Sequence, residues 1–366
     1  MKIFTSIVVF AFTLLFGSIV QAQGSFFPEQ IKNNQSISSP IEGKEDNILY
    51  KGTIYHIFFH SLIVYPELAL SGKKRSTGYK YWMITRDEFQ KILPELYKNN
   101  FVLIDITSLY GVNNDGTIVK KDIYLPKGKK PLIISLDDLT YDDTLIGHGF
   151  ANKLVFDKDG NVATQIITKN GKNEITRDGD VIPILDDFIV AHPDFSFKGA
   201  KGVIALTGYQ GILGYRTNNI NSPTYIQDVE SVKMIISKLK DTGWRFASHS
   251  YSHKPIFSDA TISLEKVIQD TQLWDKEVRP LVGDTDIFIG PFGQVFQQND
   301  PRRIYLISRG FKMFAGVGMD LYFQYFSNSI RMNRADIDGY RLIYTPKLLK
   351  KYFDVETVID PIRKTL

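Results

Sequence analysis

The chain contains no cysteine, which excludes disulfides, thiolate metal sites and a cysteine nucleophile. It also lacks any Gly-x-Ser-x-Gly stretch, so the serine nucleophile elbow of the α/β-hydrolases has no counterpart and a Ser-His-Asp triad is not indicated. No block of one charge sign occurs: 44 Lys and Arg against 40 Asp and Glu leave a net charge of +4 over 366 residues. That balance does not describe a nucleic-acid-binding surface, and at most it favours an anionic surface such as a cell wall. Histidine is scarce, with six in all, and none follows His253. What is plentiful is apolar side chain: 43% hydrophobic residues can bury a substantial core, in one large or two ordinary domains.

The single long apolar run lies at the start. Lys2 precedes "IFTSIVVFAFTLLFGSIV", and Val20 and Ala22 are small residues at the positions a signal peptidase requires, so residues 1–22 read as a cleaved signal peptide. The run of about 18 residues also reaches the lower limit for an uncleaved anchor. Residues 23–47 turn to Gln, Asn, Ser, Pro and Gly without periodicity, as in a linker. Folding is expected over 48–358.

There the pattern alternates. "ILYKGTIYHIFFHSLIV" carries the β-branched and aromatic density of a buried strand region. "TRDEFQKILPELYKNN" is a helix with Thr85 at its N-cap, and "FVLIDI" is a strand. This β-α-β rhythm predicts a parallel α/β layer or barrel. Between about 150 and 183, "DKDGN", "KNGKN" and "RDGD" supply Asn/Asp/Gly turns between short strands, an inserted antiparallel β-hairpin segment. The rhythm then resumes with "VIPILDDFIVAHPDF" (helix), "GVIALTGY" (strand) and "YIQDVESVKMIISKLKDTG" (helix).

Two strand ends carry chemistry. "KKPLIISLDDL" runs from an apolar strand into Asp137 and Asp138, at the end of a strand where α/β folds place their sites. "PILDDF", with Asp186 and Asp187, falls in a helical pattern and serves as an internal control without expected function. After the short strand "WRFAS" comes "HSYSH", with His249 and His253 four residues apart, a spacing that lets both imidazoles converge on one ion. Two histidines and one carboxylate make the three-ligand set of a catalytic zinc site with one position left open. The second carboxylate is then free to act as a base.

Taken in order, "SLDDL", "HSYSH" and "IFIGPFGQ" resemble the motifs of the polysaccharide deacetylases with the NodB-homology fold, carbohydrate esterase family four. The resemblance runs from about Lys129 to Gly339. It implies an α/β fold of the distorted (β/α) barrel type, interrupted here by the hairpin segment. It also implies a divalent metal, expected to be zinc, on Asp138, His249 and His253, with Asp137 as base. Pro291, Phe292 and Gly293 match the third motif, and they join Tyr251 and Arg216 as expected substrate-binding residues. The implied partner is a polysaccharide such as peptidoglycan or another acetylated glycan, met outside the cell, at its surface or in the periplasm. Nucleic acid is not expected, nor is a stable membrane span once the signal is removed.

Three family features stand elsewhere or not at all. Ile289 occupies the place of an arginine that orients the base, Leu139 that of a glycine, and the late histidine that acts as general acid has no equivalent. His60, at the end of a predicted strand, is the first candidate donor and His192 the second. Arg216, Arg331 and Arg334 are candidates for the arginine. Trp244 is expected to pack beside its strand. A catalytically impaired, metal-containing glycan-binding relative is the alternative reading, and a hydrolase of O-acetyl esters is another.

Overall fold

A computed structural model describes residues 47–257 and 261–364; the expected signal peptide and all but the last residue of the linker lie outside them. Seven parallel strands follow one another around a closed barrel: β1 (Tyr55–Phe59), β2 (Lys130–Leu136), β3 (Val203–Leu206), β4 (Arg245–Ser248), β5 (Ile287–Ile289), β6 (Met313–Val317) and β7 (Ile330–Asp336). Each pairs with its sequence neighbour, and β7 closes on β1 through Ala335 opposite Ile57 and Asp336 opposite Phe58. The ring is uneven. β4 meets β5 through the single pair Ser248–Phe288, and the first half of β2 pairs instead with the extra strand Phe101–Leu103.

The strands read as continuous apolar runs because both faces are covered, as in parallel sheets generally. β2, "KPLIISL", is buried from Pro131 onward. Its side chains still alternate between two environments. One phase, with Ile133, Ala205, Ala247, Ile289, Ala315 and Met332, packs on itself inside the barrel. The other, with Ile57, Ile134, Ile204 and Phe246, packs against helices. The helices of the fold include α1 (Ser76–Trp82), α2 (Arg86–Lys98), α3 (Val181–Ala191), α4 (Tyr225–Asp241), α5 (Leu264–Glu277), α6 (Pro301–Ser308) and α7 (Gly339–Tyr344). Thr85 caps α2 in a full capping box with Glu88, which satisfies two otherwise orphan N–H groups. Among the described residues no helix is long and apolar enough to cross a membrane.

The insertion is a three-stranded antiparallel sheet (Ala151–Phe156, Val162–Ile167, Asn173–Thr176), one strand more than a hairpin. "RDGD" is not a turn between strands there. It leads into α3, which starts at Val181 with Asp180 as its N-cap.

Candidate metal centre at the barrel mouth

Alternation along the strands brings the site together. Continuing the interior phase of β2 past Ile133 and Ser135 gives Asp137, that of β7 past Met332 gives Arg334, and that of β4 past Ala247 gives His249. All three are buried. Asp137 stays in the barrel because its N–H donates to the Phe59 carbonyl of β1, 2.9 Å.

Asp138, His249 and His253 each offer a ligand atom within 4.8 Å of the others. His253 Nε2 lies 3.6 Å from one Asp138 oxygen and His249 Nε2 4.0 Å from the other. His249 Nδ1 donates to the carbonyl of Ile289, 2.8 Å away. A carbonyl can only accept, so the proton sits on Nδ1 and the Nε2 lone pair faces the cluster, the orientation a metal ligand needs. Ile289 therefore has a task in the site through its backbone, while its side chain is wholly buried. Asp138 Oδ1 is buried with no hydrogen-bond partner. A buried oxygen left bare is costly, and a cation bridging it to the two imidazoles would satisfy it. Burial lowers the His253 pKa, with Asp138 opposing and His249 adding to the shift, so the ring is neutral and able to ligate.

The backbone is strained here. Asp138 (φ 58), Ser250 (φ 59), His253 (φ 42) and Phe292 (φ 55) are four of the nine non-glycine residues with positive φ among those described. Each costs on the order of 1–3 kcal/mol, and such residues persist where surrounding contacts over-determine them. The contacts are visible. Asp270 of α5, buried, accepts from the N–H groups of Tyr251 (2.6 Å) and Ser252 (2.9 Å) and pins the His249–His253 loop. Leu139 is buried and is absent from the positive-φ residues, so its position does not require the family's glycine.

Asp137 is gripped by Arg334: Nη1 to Oδ1 at 2.7 Å and Nη2 to Oδ2 at 2.9 Å. Burial pushes its carboxyl pKa up, but the Arg334 charge, with help from His249 and His60, overrides this and holds it well below the usual carboxylate range. Arg334 is itself fully buried, over the Phe58 ring at 4.2 Å, and bonded to Ser135 Oγ at 3.0 Å. Ser135 in turn meets His56 Nε2 at 2.9 Å. The arginine that grips Asp137 thus comes from β7 rather than from the position of Ile289.

The remaining expected residues divide. His60 follows β1, with its ring 5.7 Å from that of Phe58, and it is near enough for its charge to act on Asp137, His253 and Asp338. Phe292 stacks on His253 at 4.5 Å between ring centroids and is half exposed, while Pro291 beside it is buried. Gly293 (φ 75) packs its backbone against Val317, which a Cβ would strike. Tyr251 turns away from the cluster, with its hydroxyl on Glu277. Arg216 does not reach Asp137; it ties Tyr141 O (3.0 Å), Gln210 O and Asp143 together. Arg331 lies over the Tyr322 ring, and His192 is stacked between Tyr97 and Phe188. Trp244 is buried beside its strand, donating to Asp186.

Sequence reasoning did not single out Asp180, which is fully buried and accepts from Val181 N (2.7 Å), Leu62 N (3.2 Å) and Tyr141 Oη (2.7 Å). It bolts the loop after β1, with His60, to the loop after β2, with Asp137 and Asp138.

Fold and site together define a (β/α) barrel with a two-histidine, one-carboxylate centre in its mouth. No family model matches the chain, and no curated protein matches it. Three solved structures are similar at low identity. One is the Streptococcus pyogenes deacetylase PplD in complex with acetate (14% identity, 84% of this chain and 99% of that one, TM-score 0.45). Another is IcaB from Ammonifex degensii (14%, 78% and 91%, 0.42). The third is BA0330 from Bacillus anthracis, named as a candidate polysaccharide deacetylase (11%, 84% and 69%, 0.42).

Proposed function

We propose that the chain is an exported, metal-dependent deacetylase that removes N-acetyl or O-acetyl groups from a cell-wall or other extracellular glycan, as a divergent polysaccharide deacetylase. The observation that carries this reading is the division of labour within one acidic pair. Asp138 faces two imidazoles, with one oxygen bare, and Asp137 beside it is held by a bidentate arginine. The order of "SLDDL", "HSYSH" and "GPFG" supports it.

Asp138, His249 and His253 would hold the ion, and their hard-oxygen and imidazole donors suit zinc. Bound there, the ion supplies Lewis acidity toward the acetyl carbonyl and acidifies a water. The chain's own residues do the rest. Asp137 stays ionised at any working pH, because Arg334 holds its proton affinity down, and it accepts the proton of the attacking water. Water oxygen bonds to the acetyl carbon, the C–N or C–O bond breaks, and the sugar nitrogen or oxygen leaves as acetate forms. His60 donates the proton that the leaving atom requires. Phe292, stacked on His253, walls one side of the mouth and presents a ring to the sugar.

A second reading, a metal-containing glycan-binding relative with impaired catalysis, is favoured by one observation: a carboxylate held as low as Asp137 is a weak base. Bound metal and acetate release from chitin oligomers and acetylated xylan separate the two. Stoichiometric metal with acetate released supports the deacetylase; stoichiometric metal with no acetate from either glycan supports the second reading.

A further inference from the structure

Among the described residues few aromatic side chains are exposed, but three tyrosines stand together at or near the surface. In α7, "GYRLIY", Leu342 is buried, whereas Tyr340 and Tyr344, four residues apart and so on one face, are 42% and 52% exposed. Tyr81 of α1 completes a triangle, with ring centroids 6.2 Å from Tyr340 and 5.9 Å from Tyr344, which are 5.0 Å from each other. The helices meet closely because Gly339 lies against the Lys80 carbonyl, where any Cβ would clash.

The place of this triangle in the fold gives it meaning. α7 begins three residues beyond the end of β7, and its N-cap is Asp338, near enough to feel the charge of His60. α1 lies on the connection leaving β1 just after His60. α7 therefore starts at the mouth that holds the metal centre, and α1 packs against it. At 1.5 Å per residue, Tyr344 is about 9 Å along α7 from Asp338.

Rings braced edge to face against one another lose little entropy on binding, and they offer apolar faces bordered by hydroxyls. A pyranose presents the complement: a C–H face with hydroxyls at its edge. Charge does not recommend another ligand, since Arg341 is spent on Asp336. We propose that Tyr81, Tyr340 and Tyr344 form a stacking subsite for pyranose units of a glycan chain, beyond the unit that enters the mouth. The choice of ligand rests on the glycan reading above; the subsite itself requires no turnover.

The test is calorimetric titration of the full mature chain with two probes, a β-1,4-linked N-acetylglucosamine hexamer and an acetylated xylan hexamer. The wild type should bind at least one. Tyr340→Ala/Tyr344→Ala should weaken that binding about tenfold, the scale of paired aromatic anchors. Tyr340→Phe/Tyr344→Phe, which keeps the rings, should stay within about threefold. Ile226→Ala, a control at another exposed apolar position on α4 (73% exposed), should bind as wild type. Binding of neither probe, full affinity in the double alanine variant, or an equal loss in Ile226→Ala would overturn the subsite. Tyrosine-dependent binding without acetate release would uphold it while overturning the deacetylase reading.

Discussion

The tripeptide Leu-Asp-Asp stands at 136–138 and again at 185–187. In both copies the leucine is fully buried, so the apolar anchor is the same and the backbone that follows decides the rest. At 136–138 a strand ends. Alternation carries Asp137 into the barrel, and a left-handed turn at Asp138 aims the next carboxylate at His249 and His253. At 185–187 the pair continues α3, where each residue turns by about 100°. Asp186 takes Trp244 Nε1 at 3.0 Å and Lys201 Nζ at 2.6 Å, and Asp187 pairs with Arg177 nearer the surface. A carboxylate pair becomes chemically interesting through what its backbone makes converge on it.

Substitutions can widen or collapse that contrast. The largest effect is expected at Asp137. Asp137→Asn should lower acetate release about a hundred- to ten-thousandfold while metal content stays, whereas Asp187→Asn leaves turnover unchanged. Arg334→Ala strips the partner from a buried charge, and chemical denaturation should show a loss of about 3–5 kcal/mol. Arg334→Lys keeps the charge without the fork. Without Arg334 burial dominates, so the Asp137 pKa rises and the acid limb of the rate profile moves to higher pH.

Asp180 stands between the two pairs, and its effect depends on pH. Burial, the main cause, outweighs its hydrogen bonds and pushes its pKa up from 3.8 to about 6. The folded protein therefore holds that proton more tightly than the unfolded chain. Its contribution is fully present below about pH 4 and is lost as pH rises through 6, by about 2–3 kcal/mol. Denaturation midpoints of Asp180→Asn should lack that decline between pH 4 and 6. The smallest effects belong to α3. Asp186→Ala, which leaves the Trp244 indole N–H and the Lys201 ammonium without their partner, should cost about 1–3 kcal/mol with metal retained. Asp187→Asn should cost about 0.5 kcal/mol or less, because its ion pair is half exposed.

Features that depend on short stretches of chain were legible in the sequence. The Thr85 cap, α2, α4, the strand ends at "SLDDL" and "WRFAS", and the four-residue histidine spacing all appear where their local pattern sets them. The grip of Arg334 on Asp137 joins residues 197 apart. Arg334 entered only as one of three arginines, because the phase that points it inward is fixed by pairing with β6 and β1. Asp270 and Asp180 left no local signal: each looks like an ordinary helix or cap carboxylate until the loops it holds are folded over it. The insertion was read as a hairpin with three turns, but "DKDGN" and "KNGKN" each close a strand pair, whereas "RDGD", alike in composition, leads into α3.

The central claim is that the two neighbours Asp137 and Asp138 have separate tasks. Metal content after zinc loading and dialysis tests it most directly, compared across the wild type, Asp137→Asn, Asp138→Ala and His249→Ala. The account predicts about one ion per chain in the first two and loss of the ion in the last two. Full retention of metal in both Asp138→Ala and His249→Ala would contradict it.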